Sequence, residues 1–305
     1  MFNLPSPLQQ INSPLLKQSA VNLWLKRDDL IHSQISGNKL RKLTGYLQQK
    51  PQHIISFGGA FSNHLHALAA ACQNQQIKLT AIVRGEASQQ HNATLTALHN
   101  IGANLHFVDR QTYKLRNNAD YLAQLQANNP KATIIPEGGY GHLGLHGLAT
   151  LLNEVRQQLK ADYFVCPVGS GTTLAGLCKH KKHHEKLLGI CAIKGGEYLA
   201  QEVAQLAQRA TDDFSLNCDF HFGGFAKIKP ELIDFCIEFY QQHNVLLDPV
   251  YTSKAMYAVY QLIAQGHFTK QSNIVFIHTG GLQGWQGMIE RQLLSNLQIN
   301  ALGLN

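Results

Sequence analysis

No stretch of the 305 residues reaches the roughly 18 to 20 uncharged apolar residues that a membrane-spanning helix needs. The N-terminal MFNLPSPLQQINSPLL has no basic start followed by an apolar run, so no secretory leader is expected. Cysteine is sparse. Cys72, Cys166, Cys178, Cys191, Cys218 and Cys236 are scattered, mostly inside apolar segments, and none forms a CxxC pair. Reduced core thiols are expected rather than a disulfide framework or a zinc site, with the cytoplasm as the compartment and no bound metal. Low-complexity linkers and internal repeats are also missing.

Acidic residues are outnumbered, 19 against 26 Lys and Arg, which gives a formal charge of +7 and a pI near 9.1. Such an excess could serve a polyanionic partner. Part of it sits in one run, Lys179-His180-Lys181-Lys182-His183-His184-Glu185-Lys186, which lacks the interleaved aromatics of a nucleic-acid module. That run reads as a solvated helix end, and no nucleic-acid or membrane partner is expected. His180, His183 and His184 have helical spacing, but a lone histidine trio is not a metal motif.

What the chain does have is a repeated succession of strand, glycine turn and helix. HIISF (53–57) runs into Gly58-Gly59, LTAIV (79–83) into Arg84-Gly85, and ATII (132–135) into Pro136-Glu137-Gly138-Gly139. DYFVCPV (162–168) runs into Gly169-Ser170-Gly171, and NIVFIH (273–278) into Thr279-Gly280-Gly281. Short β-branched runs alternating with longer helical segments predict βαβ crossovers and an α/β fold with largely parallel sheets. Ligands of such sheets collect where strand ends meet helix starts. The length suits two packed lobes, and 44% hydrophobic residues suffice for a core in each.

Four segments carry candidate chemistry. In Ser36-Gly37-Asn38-Lys39-Leu40-Arg41-Lys42 a Gly-Asn turn precedes a basic helix, and Lys39 and Lys42, three apart, share a face. One amine could form an imine while the other neutralises a phosphate; alone, the segment is also just a capped basic helix. In Phe57-Gly58-Gly59-Ala60-Phe61-Ser62-Asn63-His64, Ser62 stands where an N-cap belongs. The amides behind it suit a carboxylate or phosphate, although capping alone explains Ser62. Val168 to Gly176, VGSGTTLAG, follows an apolar strand and opens a helix, offering backbone amides and hydroxyls to a phosphate. It is neither a Walker sequence nor GxGxxG, and an ordinary strand-to-helix turn is the alternative. In Leu247-Asp248-Pro249-Val250-Tyr251-Thr252-Ser253-Lys254-Ala255-Met256, Tyr251 offers a ring or phenol and Thr252 a neutral hydroxyl at a helix start.

Together SGNKLRK, GGAFSNH, GSGTTLAG and DPVYTSKAM, supported by KRDDL, PEGG and HTGG, resemble in order and spacing the pyridoxal-5′-phosphate-dependent family of 1-aminocyclopropane-1-carboxylate (ACC) deaminase and D-cysteine desulfhydrase. The resemblance runs from about residue 20 to residue 287. It implies the tryptophan-synthase-β-like fold, fold type II among pyridoxal-phosphate enzymes. The implied larger domain is 1–41 with 149–305, the smaller 42–148, and the active site lies in the cleft between them. It implies that Lys39 carries the cofactor and Lys42 partners its phosphate. Ser62 becomes a catalytic group, and Ser62, Asn63 and His64 approach the substrate, with Asn63 also on the cofactor ring. Gly169, Ser170, Gly171, Thr172 and Thr173 become the phosphate cup. Tyr251 becomes catalytic against cofactor and substrate, and Thr252 faces the pyridine nitrogen.

Two departures from the family pattern bear on activity. Phe225, in His221-Phe222-Gly223-Gly224-Phe225-Ala226-Lys227, stands where the family often has a second tyrosine, and Thr252 stands where ACC deaminases carry glutamate. A threonine leaves the pyridine neutral, a weaker electron sink suited to β-elimination or α-proton exchange. The expected activity is therefore a lyase or deaminase acting on a small amino acid, D-cysteine desulfhydration first, in a homodimer. ACC deamination, or elimination or racemisation of another small amino acid, is the alternative. A pyridoxal-phosphate- or amino-acid-binding protein with little turnover is a third reading.

Overall fold

The computed structural model describes residues 2–35, 37–86 and 92–304, together with the backbone of the helix that starts at Ala93. Its strands are β1 (Leu8–Ile11), β2 (Asn22–Lys26), β3 (His53–Gly59), β4 (Lys78–Arg84), β5 (Asn104–Val108), β6 (Ala132–Ile135), β7 (Tyr163–Val168), β8 (Lys186–Cys191), β9 (Ser215–Asn217) and β10 (Asn273–Ile277). The five strands expected from the sequence are all present, with ends shifted by a residue or so. The chain divides into two compact units, Met1–Asn38 with Leu148–Asn305, and Lys39–Gly147. The division falls at Asn38/Lys39 and Gly147/Leu148, beside expected boundaries at 41/42 and 148/149.

The larger unit holds a six-stranded sheet in the order β1-β2-β10-β7-β8-β9. Every pairing is parallel except β1 with β2, which are joined by the short helix Pro14–Ser19 and run antiparallel at the edge. Strand β7 is buried at all six positions. A strand covered on both faces needs no polar alternation, which is why YFVCPV reads as a continuous apolar run. Leu23, Leu25, Val165, Ile190, Ile274 and Phe276 share a core with Phe239, Met256 and Val259 from the helices Pro230–His243 and Thr252–Ala264.

The smaller unit holds a parallel four-stranded sheet, β5-β4-β3-β6. Ile55 and Phe57 of β3 and Ile82 of β4 pack with Tyr113 and Ala132 on one side of it. Both sheets thus have the α/β architecture with helices following strands, and both expose strand C-terminal ends to glycine turns.

Candidate active site

The turn before Lys39 is built by the motifs that looked least chemical. Gly37 has φ +66°, and a Cβ there would run into the Thr279 carbonyl, so only glycine fits. Its N–H donates to the Asp28 carbonyl at 2.8 Å, and the Asn38 N–H donates to the Thr279 carbonyl at 3.3 Å. KRDDL and HTGG therefore supply the acceptors that fix this turn. KRDDL is held in its own right. Ser6 Oγ donates to Asp28 at 2.6 Å, and the Arg27 fork clamps Asp29, with His278 Nδ1 3.5 Å from the same carboxylate. Ser36 lies outside the described residues.

Asn38 also donates through Nδ2 to Thr173 Oγ1 at 2.8 Å. The covalent neighbour of Lys39 is thus tied to the VGSGTT turn. That turn ends β7 and opens the helix Thr172–His180, whose first amides have no intrahelical acceptor. Gly171 has φ +73°, and a Cβ there would lie 2.7 Å from Val203 Cγ2; one at Gly169 would lie 2.8 Å from the Tyr251 ring. Ser170 and Thr172 hydroxyls are 3.1 Å apart, and Thr172 and Thr173 are buried. The two glycines let this turn pack closely on Tyr251 and Val203, and hydroxyls flank the helix start.

The DPVYTSK segment is organised by Asp248, whose role the sequence did not suggest. Its fully buried carboxylate accepts the N–H groups of Val250 and Tyr251 at 2.9 Å on one oxygen and of Thr252 at 2.6 Å on the other. In return the Asp248 N–H donates to Thr252 Oγ1 at 2.6 Å. Thr252 Oγ1 is an acceptor in this exchange, so its own proton remains to be donated. Tyr251 lies against Gly169, with Phe225 5.9 Å from it by ring centroids.

In the smaller unit Lys39 and Lys42 lie on the first turns of the helix Asn38–Leu47. Ser62 caps the helix Asn63–Gln75, its Oγ accepting the Leu65 N–H at 3.2 Å. A Cβ on Gly58 would sit 2.6 Å from that Oγ, so the glycine makes room for the cap. His64 is buried; its Nε2 lies 2.9 Å from Ser56 Oγ, which itself donates to the Ile135 carbonyl. The hydroxyl proton is committed, so Nε2 carries the proton donated to Ser56, and the buried Nδ1 has no hydrogen-bond partner among the described residues. Burial, then the charges of Lys39 and Lys42, push the His64 pKa down to about 3.

The basic run is not one helix face. The helix ends at His180, and β8 starts at Lys186. Glu185 is buried against Arg156 at 2.7 Å, its carboxyl held below the usual range by that guanidinium despite burial. Among the described residues no His, Cys, Asp or Glu cluster could hold a metal, and no helix is long and apolar enough to cross a membrane.

Residues 2–280 match the family model of pyridoxal-phosphate dependent enzymes. The chain belongs to this family. A protein of Pyrococcus furiosus provisionally named a 1-aminocyclopropane-1-carboxylate deaminase is 30% identical over 301 residues, covering 92% of this chain and 90% of that one. The mitochondrial bifunctional D-cysteine desulfhydrase/1-aminocyclopropane-1-carboxylate deaminase of Arabidopsis thaliana is 28% identical, covering 95% and 80%. A crystal structure of an ACC deaminase homologue superposes with a TM-score of 0.83 at 27% identity, over 96% of this chain and 94% of that one. The protein is thus a pyridoxal-phosphate-dependent enzyme of the ACC deaminase and D-cysteine desulfhydrase group, with their fold type II architecture.

The residues present fit the cofactor. Pyridoxal phosphate requires an amine for its aldehyde, donors for a phosphate dianion and a partner for its ring nitrogen. Lys39 follows a turn anchored to Thr173; the helix start at Thr172 supplies backbone amides beside the Ser170 and Thr172 hydroxyls; and among the described residues Thr252 Oγ1 accepts a hydrogen bond without donating one.

Proposed function

We propose that this enzyme cleaves the β-substituent from a small amino acid, D-cysteine foremost, converting D-cysteine and water to pyruvate, sulfide and ammonia, as a cytoplasmic homodimer. The observation that carries the reading is the hydrogen bonding of Thr252. Its Oγ1 already accepts from the Asp248 amide, and the neighbouring carboxylate of Asp248 is taken up by three backbone N–H groups. What faces a ring nitrogen from Thr252 is a donor, which suits a nitrogen that keeps its lone pair and carries no proton. When bound, pyridoxal phosphate offers an aldehyde and a ring that draws electrons from the substrate's α-carbon; with an unprotonated ring the draw is weak. A thiol that departs promptly relieves that demand. The ACC ring, with no such leaving group, asks more of the cofactor.

In this reading Lys39 carries the cofactor and, once its amine is free, moves the α-proton. Lys42 balances phosphate charge, and Gly169, Ser170, Gly171, Thr172 and Thr173 hold the phosphate. Ser62 and Asn63 take the substrate carboxylate at a helix start, and Tyr251 lies along the substrate. His64 stays uncharged beside two lysines, behind the substrate contacts of Ser62 and Asn63. The preference for a D-amino acid is supported by the name of the Arabidopsis relative.

Borohydride treatment of the yellow holoenzyme should fix the cofactor on Lys39, read by peptide mass spectrometry; an adduct on Lys42 would refute the assignment. Steady-state assays should give pyruvate from D-cysteine, faster turnover of β-chloro-D-alanine and little α-ketobutyrate from ACC. Comparable turnover of ACC and D-cysteine would overturn the argument from Thr252, and inertness toward all three would favour another small amino acid or a binding role.

A further inference from the structure

Lys254 is fully buried, yet among the described residues its amine bonds no carboxylate. Nζ donates to two backbone carbonyls, His221 at 3.0 Å and Gly224 at 2.7 Å. Those carbonyls belong to a segment with an unusual backbone. Phe222, Gly223, Gly224 and Ala226 have φ of 53°, 95°, 115° and 54°. Two of these are not glycine, and left-handed backbone is unfavourable for them. The segment's own bonds are few: Gly224 N–H to the His221 carbonyl at 3.0 Å, Gly223 N–H to His221 Nδ1 at 2.9 Å, and Lys227 N–H to the Gly224 carbonyl at 3.2 Å. The two carbonyls that close these successive turns are the two that Lys254 also engages. One amine therefore staples both turns to the first turn of the helix Thr252–Ala264.

The staple sets two rings. Phe222 packs edge-on against Tyr257 of the same helix at 5.1 Å, and Phe225, half exposed, tilts against Tyr251 at 5.9 Å. Tyr251 in turn lies against Gly169. We propose that Lys254 is a positioning residue: by pinning the 221–226 turns it holds Phe225 against Tyr251 and so fixes the tyrosine ring beside the phosphate turn. The inference rests on the placement of Tyr251 in the site proposed above. Burial draws the Lys254 ammonium down to about 8 against the pull of Asp248 and Cys191, but an uncharged amine still has donors for both carbonyls, so the staple holds in either state. A methionine has no donor to offer either carbonyl.

The test compares wild-type holoenzyme with Lys254→Met, Phe225→Ala and the double variant, by hydrogen–deuterium exchange and by cofactor dissociation constant. In Lys254→Met the amides of 222–227 should exchange at least tenfold faster, while β7 and β10 keep their protection. Cofactor affinity should fall about tenfold in either single variant. In the Phe225→Ala background Lys254→Met should change it less than twofold, because the ring through which it acts is gone. Should Lys254→Met fail to fold, Gly224→Ala, which cannot keep φ 115°, disturbs the same turns with Lys254 intact and should reproduce the loop exchange and the affinity loss. Unchanged exchange at 222–227, or additive effects in the double variant, would overturn the proposal. Tyr251→Ala with unaltered cofactor affinity, in a protein whose loop still responds to Lys254→Met, would instead refute the placement of Tyr251 and with it the link from loop to site.

Discussion

At the scale of single residues, the buried histidine next to two lysines has a measurable signature. An unfolded histidine takes up a proton near pH 6.5, whereas His64 in the folded chain does so only near 3. Below 6.5 the unfolded state binds the extra proton, so folding stability falls with pH from 6.5 toward 3 and is restored as pH rises through that window. At pH 4.5 the loss is about 2–3 kcal/mol. His64→Gln should flatten that part of the profile of melting temperature against pH for the cofactor-free protein. An unchanged profile would mean that His64 titrates normally. Thr252→Val should act differently, since it leaves the Asp248 amide without its acceptor. It should cost about 1–3 kcal/mol in denaturant unfolding and weaken cofactor binding as well. The sequence pointed to His64 and Thr252 through their motifs, but not to Asp248. An aspartate before a proline looks like any loop residue until its three amide donors are seen.

Elements were legible in proportion to how local their causes are. Strands β3, β4, β6, β7 and β10 announce themselves through apolar runs ended by glycine, because both the burial and the turn are written in adjacent residues. Strands β1, β2, β5, β8 and β9 were not read: β9 is three residues long, and KLLGIC follows directly on the basic run that masked it. The sequence offers the glycine turn after β7 as a candidate phosphate cradle, whereas the packing reason for Gly171 is not legible in it. That reason is φ +73° and a valine from the helix Leu199–Ala207, in addition to any need for an anion to approach. A bulky substitution at Gly171 therefore tests packing as much as binding, and the sharper comparison is Gly171→Ala with and without Val203→Ala. The single variant should lose cofactor in purification. The pair should regain part of it, since relieving the 2.7 Å contact leaves only the backbone cost, about 1–2 kcal/mol. Equal retention by Gly171→Ala and wild type would mean that the cradle lies elsewhere.

At the scale of the molecule, the smaller unit is an insertion whose two ends meet. A Cβ on Gly147 would strike the Arg41 carbonyl, so the last residue of the insertion packs on the helix that begins it. Gly147→Ala should push this helix aside, lowering the melting temperature by several degrees and slowing borohydride trapping at Lys39. Normal melting and trapping would show that the contact has slack.

The six-stranded sheet places β10 at its middle, with Asn22 paired to Asn273 and Tyr163 to Ile274. On the ribosome, β2 thus emerges long before its parallel neighbour β10 exists, while the strands of the four-stranded sheet are all made within residues 53–135. The insertion can acquire its sheet during synthesis. The host sheet must wait, its first two strands without a central partner, until residues 273–277 have been made.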